Sequence, residues 1–328
     1  MNNAKVRWGL IGPGRIAHTF ARDISATDNA ELVAVAARDG ARARSFADQY
    51  GLPHAHEGYA ALYENAAVDA VYVATPHSYH LQHCTAAMQH GKAVLCEKPL
   101  VISPPQCRQL ITTAQDTGSY LMEGMWTWYL PAIRRALAWL EQGRIGELLH
   151  VKSDFGYPME YSEDLREYDA RVGGGAVLEM GIYPVAAARL FTGRSPHTMQ
   201  VTGRRAANGV EDDVTAIFDY GNCMATLGTS FRCKLQNWTY LVGTEGLITI
   251  PDFWRAQRCS LYHLDQRIDH FEDGRNSVGF DYQIGQVSQD ILDGKTQSDI
   301  IPLATSLALQ EDLWAIREAI PRPQPTSV

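Results

Sequence analysis

Apolar residues in the first 125 positions come in short, nearly unbroken runs, separated by amphipathic stretches of about 10–13 residues. The runs are Val6–Ile11, Glu31–Ala37, Ala70–Ala74, Ala93–Cys96 and Tyr120–Met122. They are too short for helices and apolar on both sides, which predicts strands covered on both faces. The stretches between them, Arg15–Ile24, Ala41–Tyr50, Ser78–His90 and Pro104–Thr117, predict helices. Strand and helix in alternation imply an α/β fold built on a doubly wound parallel sheet.

The pattern changes from about Leu148. His150–Phe155, Met199–Arg205, Asp213–Tyr220, Cys223–Phe231, Trp238–Val242, Leu247–Ile250 and Ser260–Leu264 alternate or are rich in β-branched residues. Tight turns at Tyr220-Gly221-Asn222 and Thr244-Glu245-Gly246 join successive strands. Helices are predicted over Ala176–Phe191, Tyr282–Leu292 and Leu303–Ile320. This predicts an α+β second domain with a large, open, mostly antiparallel sheet. The boundary falls in EGMWTWYLP, which gives a dinucleotide-binding domain over 1–125 and a substrate-binding and oligomerisation domain over 126–328. One face of so large a sheet needs cover, and a homodimer formed sheet to sheet is the expected cover.

Composition narrows the partners. The net charge is −8 with no basic run, which argues against nucleic acid and anionic membranes. No apolar stretch approaches the ~20 residues of a membrane span, and the N-terminus does not read as a signal peptide. The six cysteines form no CxxC and no Cys/His metal spacing, so no metal is expected and the thiols suit the cytoplasm. Only PRPQPTSV at the end reads as disordered.

GPGRIA follows the first strand and opens a helix, as in the G-x-G-x-x-A form of the Rossmann dinucleotide turn. Gly12 permits the turn and Gly14 lets backbone approach a pyrophosphate. Pro13, Arg15 and Ile16 complete a cradle at the helix N-terminus. An ordinary glycine-rich turn is the plainer reading. At the end of the second strand, where a carboxylate would favour NAD, stand Arg38 and then Asp39. A guanidinium suits a 2′-phosphate, so NADP is expected, with NAD possible. Arg38 also reads as a solvated loop charge.

AVLCEKPL ends a buried strand with Glu97, Lys98 and Pro99. Pro99 holds Lys98 extended at the carboxyl edge of the sheet, where such folds bind ligands. Alternation sends Glu97 and Lys98 to opposite sides, one toward the cofactor ribose and the other toward substrate. A surface pair closing the strand is the alternative.

Together with TPHSYH (Thr75–His80), GKAVLCEKPL (Gly91–Leu100) and GGGAVLEMGIYP (Gly173–Pro184), GPGRIA resembles the Gfo/Idh/MocA oxidoreductase family over nearly the whole chain. AARD, WTWYLP and the Tyr of GIYP look most like its branch of dimeric dihydrodiol dehydrogenases and NADP-dependent xylose dehydrogenases. The resemblance implies that Glu97 contacts the nicotinamide ribose and Lys98 the substrate hydroxyl, and it allows a cis Lys98–Pro99 bond. It also implies that Thr75 and Pro76 border the cofactor and that His80 lies near the nicotinamide, with His77 beside it. His77 stands in for a commoner Asn and Trp128 for a commoner Arg, which argues against an acidic substrate.

Glu179 and Tyr183 are four apart and share a helical face. Many family members carry Asp at the first position and His at the second. Glu179 therefore reads as catalytic, as an orienting group or as a solvated charge, and Tyr183 as catalytic or as a packed aromatic. Trp126, Arg166 and His77 are candidate substrate contacts. Trp126 equally suits packing, Arg166 a rim charge and His77 a loop.

The expected reaction moves a hydride between the carbinol of a neutral sugar, polyol or vicinal diol and the nicotinamide. Tyr183 would exchange the proton while Lys98 lowers its pKa and holds the oxygen. Two rivals are a silent NADP-binding sensor and an enzyme that retains its cofactor through transient redox.

Overall fold

The N-terminal runs become strands whose side chains are buried on both faces of one sheet. In chain order the elements are β1 (Val6–Ile11), α1 (Arg15–Asp23), β2 (Ala30–Ala37), α2 (Gly40–Tyr50), β3 (His54–Glu57) and α3 (Ala60–Tyr63). They continue as β4 (Ala70–Val73), α4 (His80–Gln89), β5 (Ala93–Glu97), α5 (Pro104–Thr117) and β6 (Leu121–Gly124). The computed structural model describes residues 4–321, so the tail after Pro321 lies outside the described residues. The six strands are all parallel in the order β3-β2-β1-β4-β5-β6. The chain reverses direction between β1 and β4, the crevice at which doubly wound sheets bind ligands. β3 and α3 escape the hydrophobic pattern. The edge strand reads His-Ala-His-Glu and is only half covered, as edge strands often are.

On one face of this sheet Val71, Val73, Val94 and Cys96 pack with Cys84, Met88, Cys107 and Leu110 of α4 and α5. The other face carries an aromatic stack. Trp8 meets Phe20 of α1 edge-on at 5.6 Å, and Phe20 stacks on Tyr72 at 4.0 Å, with all three rings fully buried.

Beyond β6 come α6 (Pro131–Glu141), β7 (Leu148–Gly156), α7 (Ile182–Thr192), β8 (Thr198–Arg205), β9 (Glu211–Asp219) and β10 (Met224–Ser230). Next are β11 (Thr239–Gly243), β12 (Leu247–Ile250), β13 (Arg258–His263), β14 (Gln266–Glu272), α8 (Phe280–Leu292) and α9 (Leu303–Ala319). β7–β14 form an eight-stranded sheet in the order β14-β13-β12-β11-β7-β10-β9-β8, antiparallel except for β7 with β10. α6 and β14 are additions to the sequence pattern. The exposed, polar β14 has no apolar face to announce it. Registers put Ile217, Thr226, Lys152 and Tyr240 side by side across β9, β10, β7 and β11. Their neighbours Ala216 and Leu227 point the opposite way and are buried. Ile217 is 41% exposed and Met224 45%, so this face of the sheet is open in the single chain.

Two compact units follow: residues up to Tyr129 with Arg275–Leu307, and Leu130–Gly274 with the residues from Ala308 on. A single break at 125/126 has no place for the return of 275–307. That return is fixed by contacts remote in sequence. The indole of Trp8 donates to Ser288 Oγ at 3.1 Å, and the carboxylate of Asp23 accepts from the amides of Gly279 and Phe280 at 3.0 Å each. The six cysteines are all free, and no helix among the described residues is long and apolar enough to cross a membrane.

Candidate active site

The glycine turn fits an anionic ligand. Gly12 has φ +81°, and a Cβ there would lie 2.8 Å from the Ala74 carbonyl oxygen, so the end of β1 can pass β4 only as glycine. Gly14 is the N-cap of α1, with no side chain capping the helix and only the Gly12 carbonyl within 4 Å of a would-be Cβ. The first-turn amides of α1 thus border open space at the positive end of the helix. Pro13 and Ile16 are half-buried and Arg15 is exposed.

At the end of β2 both Arg38 and Asp39 are exposed, but the carboxylate is already engaged: Asp39 accepts the Ala41 amide at 2.8 Å and caps α2. Sequence reasoning missed a second cation. Arg42, one helical turn after Arg38, donates to the Pro13 carbonyl at 3.3 Å, against the glycine turn. Burial raises the Tyr59 phenol and both guanidiniums oppose it, which places the two cations around one ring. The i,i+4 spacing of the arginines was the available signal.

Thr75 and Pro76 follow β4. Thr75 is buried, and its Oγ1 has no hydrogen-bond partner among the described residues. His77 is buried and meets His80 edge-on at 5.6 Å. His80 is fully buried, with Nδ1 2.9 Å from the Pro99 oxygen and Nε2 2.8 Å from the Thr75 oxygen. Both ring nitrogens are engaged by backbone carbonyls, so His80 braces the two segments that flank it. Burial lowers its pKa, against the pull of those carbonyls.

β5 runs one residue further than the pattern predicts, pairing Glu97 with Gly124. Alternation puts Cys96 on the α4/α5 face and Glu97 on the α1 face, where the Tyr72 phenol donates to its Oε1. Lys98 follows, half-buried between buried neighbours, and the Lys98–Pro99 peptide is cis. Trp126, just past β6, is buried against Phe280 with ring centroids 4.8 Å apart.

Glu123, beside Cys96 in the sheet, was missed. Its Oε1 accepts the Leu100 amide at 2.8 Å. Burial pushes this carboxyl up to about 6, opposed in part by that amide and by Lys98. A carboxyl raised in the folded state binds its proton more tightly there than in the unfolded chain. Its contribution to stability is therefore favourable below 4.5 and lost as pH rises to about 6, leaving a cost of about 2 kcal/mol above that. Glu123→Gln keeps an oxygen for Leu100. Denaturant titrations should find the variant level with wild type near pH 4.5 and more stable by about 1–2 kcal/mol at pH 7.

In the second unit, Gly173 and Gly175 have φ +85° and +129°, and a Cβ at Gly175 would strike the Glu211 carboxylate. That carboxylate is held by Arg317 at 3.0 Å and Arg205 at 3.8 Å. Instead of a continuous α-helix from Ala176, the chain enters a π-helical turn, Val177–Gly181, before α7. Such turns are frequent at functional sites. Glu179 sits on it, gripped by Arg166 through Oε1 at 2.5 Å and Oε2 at 3.2 Å, while Glu167 takes the same guanidinium at 3.2 Å. Two carboxylates thus offset the Arg166 cation. Tyr183 is 7% exposed and packs edge-on against Phe155 at 5.2 Å. Trp254 lies 6.4 Å from Tyr183 and 5.0 Å from Phe155, with the Arg255 guanidinium 4.8 Å over its ring. Phe155 and Trp254 carry no local sequence signal, because separate strands and a loop bring them to Tyr183.

The turn, Thr75, His80, Glu97 and Lys98 therefore gather at the carboxyl ends of β1, β4 and β5, with Arg38 and Arg42 beside β2. Arg166, Glu179 and Tyr183 gather separately in the second unit.

Residues 6–125 match an oxidoreductase family with an NAD-binding Rossmann fold, Gfo/Idh/MocA, and residues 133–249 match a C-terminal domain of the same family. The chain is 31% identical to the trans-1,2-dihydrobenzene-1,2-diol dehydrogenase of Mus musculus over 324 residues, 96% of this chain and 97% of the mouse protein. A 3-ketoreductase from Actinomadura kijaniata, solved with NADP and TDP-benzene, superposes with a TM-score of 0.85 at 28% identity, covering 96% of this chain and 98% of that one. An aldose-aldose oxidoreductase from Caulobacter crescentus shares the fold at a TM-score of 0.88 and 22% identity, over 96% and 97% of the two chains.

Proposed function

This chain belongs to the Gfo/Idh/MocA oxidoreductase family and is an NAD(P)-dependent enzyme, and from that premise we propose that it oxidises a carbinol of a neutral sugar, polyol or vicinal diol with NADP. The observation that carries the reading is Lys98 at the carboxyl edge of β5, in line with Glu97 and beside the dinucleotide turn. NADP rather than NAD is supported by two arginines around the turn and by Asp39, whose carboxylate is committed to capping α2. The Actinomadura relative, solved with NADP, points the same way.

When bound, the dinucleotide supplies the nicotinamide carbon that takes the hydride. Gly12, Pro13, Gly14, Arg15 and Ile16 hold its pyrophosphate, Arg38 and Arg42 its 2′-phosphate, and Glu97 the nicotinamide ribose. Thr75, Pro76 and His77 border it, and His80 acts through the two carbonyls it braces. Tyr183 takes the hydroxyl proton as the hydride leaves carbon, and Lys98 holds that oxygen and favours the tyrosinate. Glu179, gripped by Arg166, orients the reacting group rather than carrying its proton.

A neutral substrate is supported by the Arg166 charge being spent on Glu179 and Glu167, and by the Phe155, Tyr183 and Trp254 rings, which offer faces to a sugar or diol ring. Trp126 adds to the apolar lining. The mouse relative's name, a dihydrodiol dehydrogenase, fits that class. The domain roles follow: the first unit binds the dinucleotide, the second the substrate. The open sheet face with Ile217, Met224 and Tyr240 forms a homodimer, and the free thiols place the enzyme in the cytoplasm.

Absorbance of reduced nicotinamide, with NADP or NAD against aldoses, polyols, trans-dihydrodiols and 2-hydroxy acids, tests the reading. Turnover is expected with NADP and a neutral member of the panel. Tight NADP binding with no turnover of any neutral member contradicts it.

A further inference from the structure

We infer that Tyr72 is a positioning residue for the cofactor: its phenol fixes the Glu97 carboxylate so that one oxygen is held by protein and the other is left to the ribose. This rests on the reading of Glu97 as the ribose contact. Tyr72 is the fully buried centre of a strand otherwise made of Ala and Val, where a phenol is out of place unless its hydroxyl finds an acceptor. The acceptor is Glu97 Oε1, on the neighbouring strand and the same face. The ring is clamped as well as the hydroxyl. It stacks on Phe20 at 4.0 Å with 10° between the planes, and Phe20 sits on α1, the helix that opens at the glycine turn. Trp8 closes the other side of Phe20, and its indole is anchored to Ser288 of α8.

A buried, continuous set of contacts thus runs from α8 through the dinucleotide helix to one carboxylate oxygen. A glutamate has three side-chain torsions, and an unheld carboxylate 7% exposed would sample several orientations. Tyr72 removes that freedom before the cofactor arrives, which is how preorganisation strengthens binding. No other role explains a hydroxyl here, since phenylalanine would fill the same space.

The test is a double-mutant cycle of Tyr72→Phe and Glu97→Gln, read as the NADP dissociation constant by quenching of protein fluorescence, with the melting temperature of the free protein measured alongside. Tyr72→Phe keeps the stack and removes the donor. We expect it to weaken NADP binding about tenfold, and to add little on top of Glu97→Gln. A Tyr72→Phe protein that melts lower yet binds NADP as wild type does, while Glu97→Gln binds weakly, overturns the inference and leaves the Glu97 reading standing. Fully additive losses from the two substitutions overturn it too. Glu97→Gln binding NADP like wild type overturns the Glu97 reading, and the inference with it.

Discussion

Lys98→Met should lower turnover by about a thousandfold or more while the NADP dissociation constant shifts by less than about threefold. Methionine matches the length and apolar stem of lysine, so the half-buried stretch between buried Glu97 and buried Pro99 stays filled. What disappears is the cation. In the proposed chemistry the cation acts on the developing alkoxide and on Tyr183, both of which matter only as the proton moves, so the loss falls on kcat rather than on cofactor binding. Single-turnover absorbance and equilibrium NADP titration on the same preparation separate the two quantities. Wild-type turnover in the variant would remove Lys98 from the mechanism. Loss of NADP binding would move Lys98 to the cofactor.

Replacing Arg38 and Arg42 together by Ala should weaken NADP binding by about a hundredfold or more and leave NAD binding nearly unchanged. Two charge-assisted contacts to a phosphate, each contributing about 1.5–3 kcal/mol, set that scale. The asymmetry is the informative part. NAD lacks the 2′-phosphate, and Asp39 stays with the Ala41 amide and offers NAD's ribose nothing in either protein. The ratio of the two dissociation constants, by calorimetry, should fall toward one. Equal weakening toward both dinucleotides would assign the arginines to the pyrophosphate instead.

The parts of this molecule written into local sequence were legible there. The glycine turn is specified by four adjacent residues, and the position of Lys98 by the strand before it and the proline after it. The fold class follows from the alternation of short apolar runs with helices, and that alternation survives into the six parallel strands. Where legibility fails, the determining partner is remote. Nothing near Phe280–Leu292 says that the helix packs with the first strand, because the evidence is a single indole reaching Ser288. β3 and β14 are edge strands with polar faces, so they lack the periodicity that strand recognition depends on. The entry into α7 reads as plain helix, because a π-turn inserts a residue without altering which residues are apolar. Glu179 and Arg166 were singled out separately, but a separation of 13 residues gave no hint that they form one bidentate pair. That pairing changes Arg166 from a prospective anion contact to a cation already matched. Arg42 and Tyr72 are intermediate cases. The arginine stands one turn after Arg38, and the tyrosine is a polar tip in an otherwise apolar buried strand. Both signals were present in the sequence, and both needed the third dimension to show what they faced.

The claim that hydride passes from a carbinol to the bound nicotinamide is tested most directly by label transfer. A substrate from the panel that reduces NADP is prepared with deuterium on its carbinol carbon, and the cofactor product is weighed by mass spectrometry. The account predicts NADPH heavier by one deuterium per turnover, with no label washed into solvent. Reduced cofactor without deuterium, from a substrate that keeps its label, would contradict it.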